Sequence, residues 1–502
     1  MSESIEVRVL ELEVAVLDRD GKPVDGLTRD DFEVRLANQA AAVTNFYAVR
    51  RGAIVDEAAG TPAKDAAKTE TTIPTSLLIF IDDTRLGQHA KKRALDAVRE
   101  YIKTNVGPDT TALLARWNGG NLDVLTRPTE RPGLLLAELD RLAAQPAQLR
   151  DSERARLMRQ IDDVATTPLG KYPVPEPEQL RNEVMAYAEH EASDVERTLK
   201  ALREVVRIAS AFDGRRAVLY VSEGLPMSGG AELFDYWQKV TTAINPAVNP
   251  EILGQMRDAL HPLDSARADR SQRFRDLAKE AQRANVIFHA IDAGGLRAND
   301  LSGVDAPLSV AKLDPLLFRS NAQDGVRFVA KETGGRFIAN ENDLGRALTV
   351  ISEQYTTYYS LGVKAPPSTR LTKVSVRVRN RPELRVVTAR YRRPPTSEED
   401  LERSVRTHLY TRVLENPLGV TLGVGAMAKR DGKCVVPLKI TPPAAGTIWF
   451  AMLDSLQQES GVRRADGSEI ALGVKPGSYV LSIAVVSPSG ETSYLQHDID
   501  CR

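Results

Sequence analysis

Residues 77–87 read LLIFIDDTRLG: five apolar residues run into two adjacent aspartates, a threonine, an arginine and a glycine. An apolar run ending in carboxylates is the pattern of a buried parallel strand reaching the edge where open α/β sheets bind ligands. Asp82, Asp83 and Thr84 are hard oxygen donors of the kind Mg²⁺ takes. Arg85 sets a cation beside them, which opposes a divalent ion, so the same residues also fit a capped loop with Arg85 paired to Asp83 or Glu223.

Other chemistry finds little support. The six histidines, at 89, 190, 261, 289, 408 and 497, show neither H-x-x-x-H nor H-E-x-x-H spacing, and His289 falls inside an apolar strand pattern. VSEGLP is no nucleophile elbow, because Ser222 lacks the glycine two residues before it. DAGGLRAND lacks the G-x-G-x-x-G order that cradles a pyrophosphate. No catalytic residue is assigned, and the chain reads as a non-enzyme.

The chain has 502 residues, which suggests about three domains. Sixty-seven basic and 68 acidic residues leave a net charge of −1, which gives no support to nucleic acid or anionic membrane as the main partner. No stretch approaches the ~20 apolar residues of a membrane helix, and the first residues lack a signal-peptide pattern, which taken alone reads as cytoplasmic. The two cysteines, Cys434 and Cys501, read either as separate buried thiols or as a disulfide tying the last strand to a terminal β domain.

Elements capable of positioning the acidic edge follow from periodicity. Residues 1–50 alternate as a small β module, and 51–76, poor in large apolar side chains, read as a linker. From 77 to 365, strands at 76–82, 111–117, 122–127, 216–222, 286–292 and 336–340 alternate with amphipathic helices, with helical insertions at 134–212 and 228–270. Strands return at 366–393, pack with residues 1–50, and lead through a linker at 394–410 to a β-sandwich domain at 411–502.

These segments together resemble the von Willebrand factor A-related proteins found in Acidobacteria. The resemblance rests on VAVLDRDGKPVDGLTRDDFEVRL near the start, LLIFIDDTRLG, RRAVLYVSEGLP, and GGRFIANENDLGRALTVISEQYTTYYSLGV, in the family's order. It covers most of the first 393 residues and implies a doubly wound, mostly parallel α/β sheet with an N-terminal β module; the C-terminal β-sandwich is read from the strand pattern of 411–502. The resemblance also implies a metal-ion-dependent adhesion site of the form Asp-x-Ser-x-Ser, with a threonine and an aspartate from two further loops. In this sequence Asp82 and Thr84 keep the first two positions, Leu86 loses the third, Thr129 (with Thr126 nearby) is the loop threonine, and Glu223 stands for the loop aspartate.

The expected site is therefore degenerate. Asp82, Thr84, Thr129 and Glu223 would hold a weakly bound Mg²⁺ if any, with no secure cofactor. Asp82, Asp83, Thr84, Arg85, Thr129 and Glu223 would line a protein-binding edge, with Arg85 able to meet a partner's carboxylate directly. The implied function is partner binding of the adhesion type by a bacterial protein, exported to the envelope or secreted. The alternative is a structural subunit that self-assembles around a decayed site.

Overall fold

The computed structural model describes residues 8–57, 72–147, 151–166, 176–212, 214–243, 254–255, 270–295, 316–365, 370–393, 396–410, 415–430, 432–441, 446–455 and 458–501. Most of the insertion expected at 228–270 lies outside them.

The chain opens with β1 (Arg8–Leu17), β2 (Phe32–Leu36), β3 (Gln39–Ala41), β4 (Val43–Arg50) and β5 (Ala53–Glu57). Along the first half of β1, Leu10 and Leu12 turn inward while Val9 stays exposed, the alternation of a strand with one buried face; from Val14 to Leu17, where Arg385–Val387 join, both faces are buried. β5 corrects the linker reading of 51–76 at residues 53–57; 58–71 of that segment lie outside the described residues. Its apolar run, Ala53–Ile54–Val55, is too short to mark a strand by itself, and pairing with β4 satisfies its backbone groups.

The central layer holds β6 (Thr75–Asp82), β7 (Thr110–Trp117), β8 (Leu122–Val124), β9 (Arg215–Ser222), β10 (Val286–Asp292) and β11 (Phe337–Ile338). Their order is β11-β10-β9-β6-β7-β8, parallel throughout except for β8, which folds back on β7. The described helices are α1 (Gln88–Asn105), α2 (Pro132–Ala143), α3 (Asp151–Thr166), α4 (Pro177–Ser210), α5 (Ala231–Ala243), α6 (Arg270–Arg283), α7 (Leu316–Thr333) and α8 (Leu344–Thr356). Side chains of β6 alternate between two cores. Leu77, Ile79 and Ile81 meet α1, α2 and α8 on one face, and Leu78 and Phe80 meet α4, α6 and α7 on the other.

The segment 134–212 is not one insertion. α2 packs on one face of the sheet, and the second half of α4 packs on the other. What stands apart is a small helical unit of α3, α5 and the first half of α4, closed over Leu157, Ile161, Leu180, Val184, Leu233 and Trp237. α4 spans both, because its inward stripe runs from Leu180 to Ala209, interrupted by polar residues where it passes from one unit to the other.

The chain then gives β12 (Tyr358–Ala365), β13 (Thr372–Val378), β14 (Arg385–Val387) and β15 (Tyr391–Arg392). β12 inserts between β1 and β4, so it belongs with the amino-terminal strands and not with the central sheet. The sheets β14-β1-β12-β4-β5 and β15-β13-β2-β3 face each other over Leu12, Val14, Phe32, Phe46, Leu361 and Val376. Arg215 at the foot of β9 ties this module to the central sheet: it pairs with Glu13 at 3.0 Å and lies over the Tyr358 ring at 3.8 Å.

Residues 397–410, expected as linker, form α9 (Ser397–Tyr410). A capping box starts it: the Glu399 N–H donates to Thr396 Oγ1 and the Thr396 N–H donates to the Glu399 carboxylate. The Arg393 hydrogen bond holds that carboxyl down at about 2. Val405 and Leu409 then bury against the last domain.

That domain comprises β16 (Thr421–Val424), β17 (Ala428–Arg430), β18 (Lys433–Thr441), β19 (Thr447–Asp454), β20 (Arg463–Asp466), β21 (Glu469–Val474), β22 (Gly477–Val486) and β23 (Thr492–Cys501) in two sheets. Cys434 of β18 and Cys501 of β23 form a disulfide between the sheets, with Cα atoms 6.4 Å apart. A buried ion cluster joins this domain to the rest: Glu459, 1% exposed, meets Arg207 of α4 at 2.7 Å and Arg406 of α9 at 3.0 Å.

Candidate functional site

β6 is buried along its whole length, so its last residue, Asp82, emerges fully covered at the carboxyl edge of the sheet. Asp82 caps a single 3-10 turn, Asp83–Arg85. Its Oδ1 accepts from the Thr84 N–H at 3.2 Å and from the Thr84 hydroxyl at 2.6 Å, and its Oδ2 accepts from the Tyr220 hydroxyl at 2.7 Å. Burial, with the Asp82 charge adding to it, raises the Tyr220 phenol well above its usual range, so Tyr220 stays a donor.

Asp83 is also fully buried and is neutralised twice. Its Oδ2 accepts from both Nε and Nη2 of Arg116 at 3.0 and 2.7 Å, two charge-assisted bonds converging on one oxygen. Its Oδ1 lies 2.7 Å from the Lys91 ammonium, an ion pair lying off the hydrogen-bond direction. Lys91 itself is buried and donates to the Gln145 carbonyl at 3.1 Å. Two cations around one buried carboxylate, Lys91 buried and Arg116 half-buried, leave it no demand for a metal.

Arg85 does not pair with Asp83 or Glu223. Its Nη1 donates to Glu191 of α4 at 2.8 Å, both side chains being nearly buried. Burial lowers the guanidinium's affinity for its proton, but the Glu191 and Asp82 charges more than offset this and raise it above its ordinary value. Glu223 braces the loop: its N–H donates to the Arg85 carbonyl at 2.9 Å, and its Oε2 accepts from the Gly87 N–H at 3.4 Å.

Thr129 is not brought to this edge. It bridges Ala112, which lies five residues before Trp117, the partner of Asp82 across the sheet. That is roughly 17 Å along the strand. Its hydroxyl accepts from the Arg131 N–H at the start of α2, while the Thr126 hydroxyl accepts from the Leu114 N–H. The chain after β8 runs back along β7, so both threonines serve the strand's interior, whereas a metal loop must stay at its end. Leu86, 1% exposed, is simply core.

The donors present therefore do not fit the divalent cation that the sequence pattern implies. Asp82 is committed to Thr84 and Tyr220, Asp83 to Arg116 and Lys91, and Arg85 already places a positive charge there. Among the described residues, no group of three or more His, Cys, Asp or Glu is placed to hold a metal ion. His289, in β10, is buried with Nδ1 accepting from the Arg336 N–H at 3.1 Å. Burial, reinforced by Arg215 and Arg336, pushes it down to about 3, so it packs as a neutral ring.

Sequence reasoning missed Lys91, Arg116, Glu191 and Tyr220. A signal exists for two of them. Lys91 falls on the α1 face that buries Ala90, Ala94, Leu95 and Val98, and Glu191 falls on the α4 stripe between Ala188 and Val195. A charge at a core-facing helical position needs a buried partner, and here the partners are Asp83 and Arg85.

No protein-family model matches the sequence, and no curated protein matches it. Among solved structures, the chain is similar to an aerotolerance-related membrane protein from Bacteroides fragilis NCTC 9343, with 10% identity over 56% of this chain and 98% of that one, at a TM-score of 0.25. It is similar to the TFIIH p34 N-terminal domain, with 13% identity over 56% of this chain and 97% of that one, at 0.20. A third likeness, to the M60 catalytic domain of Clostridium perfringens ZmpC, has 7% identity over 98% of this chain and 94% of that one, at 0.15. Scores this low assign neither fold nor function. Among the described residues, no helix is long and apolar enough to cross a membrane.

Proposed function

We propose that this chain is a non-enzymatic protein-binding protein of the von Willebrand A type, with a doubly wound central domain and a degenerate adhesion site, recognising a protein partner at the carboxyl edge of its sheet. The observation that carries the reading is the edge itself. Asp82 and Thr84 stand after the first strand of the central sheet, bonded to each other, while Arg116, Lys91 and Arg85 supply the positive charge around them. The network fixes the loops that a partner would meet. Asp82, Asp83 and Thr84, being buried, shape this edge without touching the partner themselves. The recognising surface is then the rim around them, including the β7–β8 turn at Gly120 and Asn121, both exposed. Export to the envelope belongs to the same proposal.

A photo-crosslinking residue at Asn121, compared with one at Lys103 near the far end of α1, tests it. A discrete cross-linked partner at Asn121 alone, lost on Asp82→Ala, is the expected result. Equal labelling at both positions, or none, would sink the reading.

A second reading, an assembly subunit, draws on β23. This strand ends its sheet with β22 as its one neighbouring strand among the described residues; its first half is covered, the Tyr494 N–H donating to the Glu415 carbonyl at 2.8 Å, so the edge offered to another chain is the half from His497 to Asp500, where three of the four residues are exposed. Light scattering on the eluting protein distinguishes them: a discrete oligomer or filament favours assembly, and a monomer favours partner binding.

A further inference from the structure

Arg85 and Glu191 meet from distant parts of the chain. Arg85 sits on the turn after β6, and Glu191 sits on α4 where its apolar stripe passes from the helical unit to the central sheet. The stripe steps through Leu180, Val184, Ala188, Val195, Leu199 and Leu202, and Glu191 takes the inward position between Ala188 and Val195. An acidic residue there is costly unless it has a specific counter-charge.

The backbone carrying it is clamped. A Cβ on Gly229 would lie 2.6 Å from the Ala192 nitrogen and 2.7 Å from the Ala188 carbonyl, and one on Gly230 would strike Ala188. The loop after β9 therefore presses against the turn of α4 that holds Glu191, so the separation of Glu191 from Arg85 is a matter of side-chain movement and not of the helix backbone.

The guanidinium is incompletely used. Nη1 serves Glu191, but Nε and Nη2 are buried and have no hydrogen-bond partner among the described residues. A buried guanidinium offers five donors in a plane, suited to two-point recognition of a carboxylate, and unfilled donors there are a standing cost. Both side chains remain slightly open to solvent, at 10% for Arg85 and 14% for Glu191.

We propose that Arg85 is a carboxylate-binding site held closed by the chain's own Glu191, and that an aspartate or glutamate side chain of a protein partner binds there by exchanging with it. The inference rests on the partner-binding reading and names the group that the partner contributes. Glu191 acts as the internal competitor: it keeps Arg85 neutralised while the site is free and sets a threshold for the incoming acid.

Acetate is the probe. In the full chain, Glu191→Ala vacates the carboxylate's place, and acetate, against chloride at equal ionic strength, should raise the melting temperature of this variant in a saturable way. Wild type, with Glu191 in place, and the double variant Glu191→Ala with Arg85→Ala should show no such rise. An equal response in all three proteins, or in none, overturns the proposal and leaves a structural ion pair. If Glu191→Ala fails to fold, Glu191→Ser leaves similar space and enters the same comparison. If neither folds in chloride, refolding yield becomes the readout: recovery in acetate supports the site, and no recovery overturns it. Acetate reads Arg85 without a partner. Rescue with no cross-link at Asn121 would keep the anion site and reject the partner reading, and a cross-link without rescue would do the reverse.

Discussion

At the scale of single residues, the acidic pair divides its work. Asp82 organises its own turn through Thr84 and Tyr220, and Asp83 is the counter-charge for two cations that reach it from α1 and β7. Removing the carboxylate of Asp83 strands Lys91 in the interior and leaves half-buried Arg116 without its acid, so Asp83→Ala should cost about 3–5 kcal/mol in urea denaturation. Adding Lys91→Met to that variant should recover part of the loss, because one buried charge goes with its partner. Equal stability of Asp83→Ala and wild type would show that the cations find water instead. The two aspartates and the threonine were legible in the sequence because they follow an unbroken apolar run. Arg116 and Tyr220 were not, since one polar residue in a strand looks the same whether it faces solvent or a buried acid.

Elements explain which expectations held and which did not. The long apolar strands β6, β7, β9 and β10 lie where their composition placed them, each flanked by helices on the faces that their alternation requires. α9 was readable and was missed: Thr396 and Glu399 form the S/T-x-x-E pattern of a helix start, but its charged first turn masked the two apolar anchors that follow. β5 was not readable, because its stability comes from β4. In the helical unit, Asp162 of α3 accepts from the Tyr236 hydroxyl of α5 at 2.6 Å and is almost fully buried. Burial, against the opposing Tyr236 hydrogen bond, raises it from 3.8 to about 6. A raised carboxyl binds its proton more tightly in the folded state. This stability is complete below about pH 4 and is lost as pH rises towards 6, on the order of 3 kcal/mol. Asp162→Asn should abolish that slope when urea unfolding is compared at pH 4.5 and 7. An unchanged slope would mean that Asp162 ionises freely in the fold.

For the whole molecule, three layers are joined by buried charge: Arg215 with Glu13 at the foot of the central sheet, and Glu459 with Arg207 and Arg406 where the last domain docks. The last domain adds a covalent tie. Its disulfide closes 67 residues of chain, and reduction should lower that domain's stability by about 4 kcal/mol on the loop-entropy account, read from its own transition with and without reductant. No shift would show that the two sheets hold without it. At the acidic edge the carboxylates are held by the chain's own donors and cations, which leaves no room for a divalent ion as a stabilising ligand. The most direct measurement is the melting temperature of the full chain through a Mg²⁺ titration to about 10 mM, against NaCl at matched ionic strength. No difference between the two salts is expected. A saturable rise specific to Mg²⁺ would contradict the account, since an ion that binds the folded state must stabilise it.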